Sequence, residues 1–160
     1  MNIFEYAMQM EKDGEEYYRD VARNVQNTGV RYILTMLADE EAKHFQILQN
    51  IAQAQPDAGD TGILDRARNV FQEMKETGQT LHVDESQIEL YKDAQAIEQK
   101  SIDFYAEKSR EAADPLQKQL LQKLAEEEKK HYFLLENIID FVSRPTTWLE
   151  NAEFVHLEEY

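Results

Sequence analysis

Glu41-Ala42-Lys43-His44 and Glu128-Lys129-Lys130-His131 are two copies of one pattern. Each copy follows an earlier glutamate, Glu11 or Glu98, by 30 residues, and the copies lie 87 residues apart. Glu and His three apart on a helix share a side, so both can face one ion. Four carboxylates and two imidazoles in a doubled pattern are the ligand set of a two-metal site in a four-helix bundle. One Glu comes from each of two helices and a Glu-x-x-His from each of the other two. Mixed carboxylate and imidazole ligation suits iron, manganese or zinc better than calcium or a soft-metal site.

All four glutamates fall on otherwise apolar helix stripes. Burying them unpaired would cost several kcal/mol each, on the order expected for an uncompensated buried charge. Two divalent cations cancel the four charges, and the imidazoles add neutral ligands. The pairwise symmetry assigns Glu41 and Glu128 as bridges, Glu11 and Glu98 as terminal ligands, and His44 and His131 as one cap per metal. Open coordination positions remain for water or an oxygen species. Tyr18 and Tyr105 each lie seven residues after a terminal glutamate, about 10 Å along a helix. Helical side chains lean toward the N-terminus, so each phenol can reach back as a hydrogen-bond donor beside the metals, or else fill the core. Gly14 and Ser101, one turn after the terminal glutamates, either leave room for an oxidant or permit close helix packing. Glu15, Glu16, Glu40, Glu126 and Glu127 read as surface charges, and His82 and His156 have no partner pattern.

The spacing predicts the elements that must hold these residues. The first helix covers 3–27, with Asn2 as N-cap; Thr28 and Gly29 break the pattern. The second runs from about Val30 to Ala54, and residues 55–62 are a loop by composition. Residues 63–77 predict a shorter helix. Asp84 and Gln87 form a capping-box signature before the third long helix. Asp114-Pro115 starts the fourth, which Pro145 stops. Short turns within each helix pair make the pairs antiparallel, and about 30 residues between helices two and three allow a crossover. The 87-residue repeat extends past the ligands: Leu34, Leu37, Ala38, Leu48 and Ile51 match Leu121, Leu124, Ala125, Leu135 and Ile138, and Tyr18 matches Tyr105. Two equivalent hairpins therefore surround a local two-fold axis. The bundle predicted is residues 1–144, followed by a C-terminal docking segment, 145–160, whose Trp148, Phe154 and Tyr160 are too apolar for a free acidic tail.

Composition bounds the rest. A chain of 160 residues suits one domain. Five Gly and three Pro favour long helices over a turn-rich β fold. The net charge of −15 argues against nucleic-acid binding. An acidic shell could draw in cations, although the simpler reading is that it keeps the protein in solution. With no cysteine there are no disulfides, thiolate metal sites or thiol chemistry. No signal peptide or membrane-length apolar run is evident, so the expected location is the cytoplasm.

The segments MEKDGEEYY, LADEEAKH, IEQKSIDFY and LAEEEKKH resemble the four helix motifs of the rubrerythrin-like branch of the ferritin-like superfamily, over about residues 3–142. The resemblance implies an all-α, ferritin-like four-helix bundle with a long crossover between helices two and three. It aligns Glu11, Glu41, His44, Glu98, Glu128 and His131 with ligands of two iron ions, and Tyr18 and Tyr105 with tyrosines beside them. Similar proteins reduce hydrogen peroxide or oxidise ferrous iron. Two departures matter. The four cysteines of a rubredoxin domain are absent, so electrons must come from a separate donor protein or from ferrous iron. The extra glutamate that many relatives carry one turn from the helix-three ligand is missing; Gln95 and Ser101 flank Glu98 instead. The expectation is a di-iron peroxidase or oxidoreductase acting on peroxide or oxygen, as a homodimer. The competing readings are a ferroxidase or iron store, dimanganese chemistry, and a non-enzymatic helical module.

Overall fold

The computed structural model describes residues 2–53, 70 and 86–143. They form four long helices: α1 (Ile3–Asn24), α2 (Thr28–Ala52), α3 (Ser86–Glu111) and α4 (Pro115–Ser143). Of the shorter helix expected at 63–77, only Val70 is described; it is helical and packs on the core. The Asp84 capping signature, Pro145 and the C-terminal segment 145–160 lie outside the described residues.

Local chemistry fixes each helix end. Asn2 Oδ1 accepts from Glu5 N at 2.8 Å while the Glu5 carboxylate accepts from Asn2 N at 3.3 Å, a reciprocal capping box. The turn between α1 and α2 is shorter than its composition suggests. Val25 leaves the helical region, and Asn27 already caps α2 by accepting from Val30 N at 2.9 Å. Thr28 and Gly29 therefore lie inside the first turn of α2 rather than breaking the chain. Arg31 donates to the Val25 carbonyl at 2.5 and 3.0 Å, satisfying an acceptor exposed by the turn. Asp114 accepts from Leu116 N at 3.0 Å, and Pro115 occupies the first helical position, where a missing N–H costs nothing.

Helix α1 packs chiefly on α2, and α3 on α4, so the bundle is two helical hairpins set face to face. The apolar core is divided in two. One cluster gathers Val21, Ile33, Leu34, Leu37, Leu134, Leu135, Ile138 and Phe141 around Tyr18 and Tyr91. The other holds Ala7, Leu48, Leu121, Leu124 and Ala125 around Tyr105. Repeat partners fall in opposite clusters: Leu34 with Leu121, Leu48 with Leu135, Tyr18 with Tyr105. The two-fold axis therefore runs across the bundle, between the clusters. Among the described residues no helix is long and apolar enough to cross a membrane.

Leu37 is fully buried in the larger cluster. Leu37→Ala is expected to cost about 2–5 kcal/mol of stability in denaturant titrations of the metal-free protein. Tyr32, half exposed at 51%, is expected to change stability by less than about 0.5 kcal/mol when replaced by Ala.

Candidate metal centre

The layer between the two clusters is polar and sealed. Glu11, Glu41, His44, Glu98, Glu128 and His131 are each at most 4% exposed. One comes from α1, one from α3, and two from each of α2 and α4. They fall into two groups of four, and within each group one ligand atom per residue lies within 4.8 Å of the others. The first group is Glu11, Glu41, His44 and Glu128; the second is Glu41, Glu98, Glu128 and His131. Glu41 and Glu128 belong to both, as a bridging pair must.

The shortest imidazole contacts cross the axis, and His131 also lies 3.5 Å from Glu128 of its own helix. His44 Nδ1 lies 2.8 Å from Glu128 Oε1, and His131 Nδ1 lies 3.0 Å from Glu41 Oε1. Terminal carboxylates complete each side, with His44 to Glu11 at 3.5 Å and His131 to Glu98 at 3.4 Å. The two rings stack nearly parallel, with centroids 5.4 Å apart and planes 7° from each other. Both Nδ1 atoms thus address the carboxylate layer. The tyrosines cross in the same manner. Tyr18 on α1 donates to Glu98 on α3, and Tyr105 on α3 donates to Glu11 on α1. Sequence spacing places each phenol seven residues beyond the glutamate of its own helix; the antiparallel run of α1 and α3 hands it to the opposite one.

Two readings of neighbouring residues change. Glu40 and Glu127 are buried, 0% and 4% exposed, not surface charges. Each pairs with the lysine three residues on, Lys43 at 3.5 Å and Lys130 at 3.0 Å. Their repeat relationship, 87 residues apart on the helices that supply two ligands each, was the available signal. Glu16 and Glu126 are exposed, and Glu15 is half-buried beside Arg19. Of the two alternatives read at Gly14, the structure favours close packing: a Cβ there would lie in ordinary contact with the Glu41 carboxylate of α2, at 3.4 Å. Its partner Ser101 turns its hydroxyl back to the Ile97 carbonyl at 3.3 Å.

The site's electrostatics show how a metal-free fold tolerates this layer. Burial, then Glu11, Glu128 and Glu98, hold the Glu41 carboxyl well above its usual range. Burial, then Glu11 and Glu98, do the same for Glu128. Burial would lower the histidines, but adjacent carboxylates outweigh it. Glu11 and Glu128 push His44 up to about 10, and Glu98 with Glu128 raises His131 well above the ordinary imidazole range. Burial likewise opposes ionisation of Glu98, yet bonds from Glu128, His131 and Tyr18 bring it to about 2. Glu11 is lowered too, chiefly by His44 against burial. The raised carboxyls and raised imidazoles both reduce the negative charge of the metal-free layer. Two divalent cations with four carboxylates and two neutral imidazoles would sum to zero. The donor set fits metal directly: Glu11 Oε2 and Glu128 Oε2 are buried without a hydrogen-bond partner, at a cost of about 1–3 kcal/mol for each atom so left.

A transverse layer of buried glutamates and histidines in two helical hairpins defines a ferritin-like four-helix bundle with a potential two-metal centre. The chain matches the rubrerythrin family model over residues 2–139, and it belongs to that family. No curated protein and no solved structure matches it.

Metal loading is expected to exchange protons for cations. Titrating metal-free protein with a divalent cation near pH 7 should release protons, because Glu41, Glu128, His44 and His131 are all held above their ordinary ranges and would have to give up protons to bind metal. Calorimetry in buffers of different ionisation enthalpy measures the number; metal binding with no proton release would refute the raised carboxyls and imidazoles. The metal-free protein should also lose stability at both pH extremes. The raised His44 contributes stability present below pH 6.5 and lost as pH rises toward about 10. The depressed Glu98 contributes stability present above pH 4.5 and lost as pH falls toward about 2. Melting temperatures across pH 3–10 check both limbs, with His44→Gln flattening the alkaline one.

Proposed function

We propose that this protein is a di-iron oxidoreductase that reduces hydrogen peroxide, or oxygen, with electrons from a separate donor protein, as a defence against oxidants. The observation that carries the reading is the pair of four-residue groups sharing Glu41 and Glu128. Family membership supports iron as the metal. Glu11, Glu41, His44 and Glu128 would hold one iron, and Glu41, Glu98, Glu128 and His131 the other. When bound, iron supplies the redox electrons and Lewis acidity.

The remaining work belongs to the chain. The two apolar clusters exclude bulk water from both ends of the layer, which strengthens every electrostatic interaction inside it. Tyr18 and Tyr105 fix the carboxylates of Glu98 and Glu11. Burial, then Glu98 for Tyr18 and Glu11 for Tyr105, keeps both phenols protonated, so they act as donors throughout. Burial and the neighbouring carboxylates raise Glu41 and Glu128, so protons would compete with metal at these two residues. The cysteine-free chain is compatible with a reducing compartment, and the reading places it in the cytoplasm as a homodimer.

A second reading, oxidation of ferrous iron for iron handling, draws on the net charge of −15, which raises the local concentration of cations. One experiment separates the two. Anaerobic ferrous titration should reach two irons per chain, and the ferric absorption band should then grow faster with peroxide than with oxygen. Preferential reaction with oxygen would favour the iron-handling reading, and failure to bind iron stoichiometrically would overturn both. Glu128→Ala, which removes a ligand common to both groups, is expected to abolish two-iron stoichiometry, whereas Glu126→Ala should leave it intact.

A further inference from the structure

The α1–α2 hairpin carries a second polar feature, outside the carboxylate layer. Arg19, Ala22 and Arg23 of α1 and Arg31 and Thr35 of α2 line a cavity of about 400 Å³. Three of the chain's seven arginines therefore converge on one pocket, in a chain whose net charge is −15. Among the described residues no carboxylate lines it.

The guanidiniums are held by groups that are not part of the lining. Arg19 donates to Glu15 at 2.8 Å and to Asp39 at 3.0 Å, and Arg23 pairs with Asp20. Arg31 donates through Nε and Nη2 to the Val25 carbonyl at 3.0 and 2.5 Å, and among the described residues it has no carboxylate partner. A guanidinium carries five N–H donors, so each of the three keeps donors beyond these bonds. Thr35 gives its hydroxyl proton to the Arg31 carbonyl at 2.9 Å, so recognition falls on the arginines. Fixing Arg19 and Arg31 by two bonds each lowers the ordering cost of binding. The pair of Arg23 with Asp20 is solvent-exposed and therefore weak, so an entering anion can exchange with it.

The internal repeat shows that the fold does not require this cluster. Arg19, Arg31 and Thr35 correspond to Ala106, Lys118 and Gln122 of the second hairpin, while Arg23 corresponds to Arg110. Arg19 is the cation that the first hairpin has and the second lacks.

We propose that this pocket binds a small polyanion of the diphosphate class, with Arg19, Arg23 and Arg31 as its recognition residues. The inference is independent of the di-iron reading, because none of the six layer residues lines the pocket. Planar guanidinium forks match phosphate oxygens through paired hydrogen bonds. Forks supplied from two helices suit an anion with two charged centres. The volume lies in the range of small-molecule sites, about 300–1,000 Å³. The acidic chain selects for small size. A nucleic acid or an acidic protein would bring its charge against the rest of the surface, at a cost. A small anion seated in the pocket feels mainly the charges within about 8 Å at physiological salt.

Isothermal titration of the full-length protein, as purified, with sodium pyrophosphate tests the site. One pyrophosphate should bind per chain. Arg19→Ala, which installs the residue of the second hairpin, and Arg31→Gln should each weaken binding about tenfold or more, as loss of charge-assisted hydrogen bonds does. Arg19→Lys keeps the charge but not the fork, and should weaken it by a smaller factor. Arg110→Gln, on the second hairpin, should leave it unchanged. Citrate and orthophosphate should bind more weakly than pyrophosphate. Heat from chelation of any metal is common to wild type and variants, so the difference between them reports the pocket. Melting curves check that the variants fold. Absence of pyrophosphate binding, or an affinity unchanged by both Arg19→Ala and Arg31→Gln, would overturn the site. An equal loss in Arg110→Gln would do the same, since it would mark attraction to arginine anywhere on the surface. Citrate binding as tightly as pyrophosphate would overturn the diphosphate assignment.

Discussion

Four carboxylates in one buried layer set the terms for everything else in this bundle. An uncompensated charge there is expensive enough to consume much of a domain's net stability, which is typically about 5–15 kcal/mol. The chain meets the constraint by mutual compensation within the layer. Glu41 and Glu128 are held toward the neutral form while His44 and His131 are held toward the charged one, beside the depressed Glu11 and Glu98. Two divalent cations would compensate the same four carboxylates. The division of the core follows from the same layer, because Val21 and Ile33 on one side cannot reach Leu121 and Leu124 on the other through it.

The two-fold repeat supplies the cross-links. Within each hairpin the helices pack closely, but α1 and α3 meet more sparingly. Their junction is carried by polar bonds that cross it: Tyr18 to Glu98, Tyr105 to Glu11, and Tyr17 to the Leu90 carbonyl. The α2 and α4 side is joined through His44 to Glu128 and His131 to Glu41. Every one of the six layer residues is thus tied to the opposite hairpin. Positioning the donors and holding the hairpins together are one set of interactions, so a change at Glu98 or Glu128 disturbs both.

Periodicity and spacing were enough to reveal the four helices, the hairpin pairing and the six layer residues, because a doubled Glu-x-x-His on apolar stripes has few other physical outcomes. The failures have identifiable causes. Asn27 capped a helix one residue before Thr28 and Gly29, since capping in place satisfies backbone donors that a longer loop would have to leave to water. Glu40 and Glu127 looked solvated because each neighbours a lysine; the lysine instead covers a buried carboxylate. Gly14 gave no hint of whether it made space or filled it, because that depends on Glu41, a residue of another helix. The crossing of Tyr18 and Tyr105 was likewise invisible, since helical spacing ranks neighbours along one helix and says nothing about the partner opposite.

Symmetry is strict where the layer's charge balance demands it and relaxed one shell outward. All six layer residues, their buried carboxylate neighbours Glu40 and Glu127, and the two phenols recur in matched pairs. Around them the pairs diverge: Gly14 with Ser101, Tyr17 with Phe104, Phe4 with Tyr91, Met8 with Gln95. Gln95 bonds the Glu136 carboxylate at 2.8 Å, a contact that the methionine on the other side cannot reproduce. Packing volume is nearly conserved in the aromatic exchanges, so burial alone does not select between Tyr and Phe at those positions. What the exchanges alter is proton and electron chemistry. A symmetric layer thus sits in an asymmetric surround, and its two four-residue groups need not behave alike even though their side chains are equivalent.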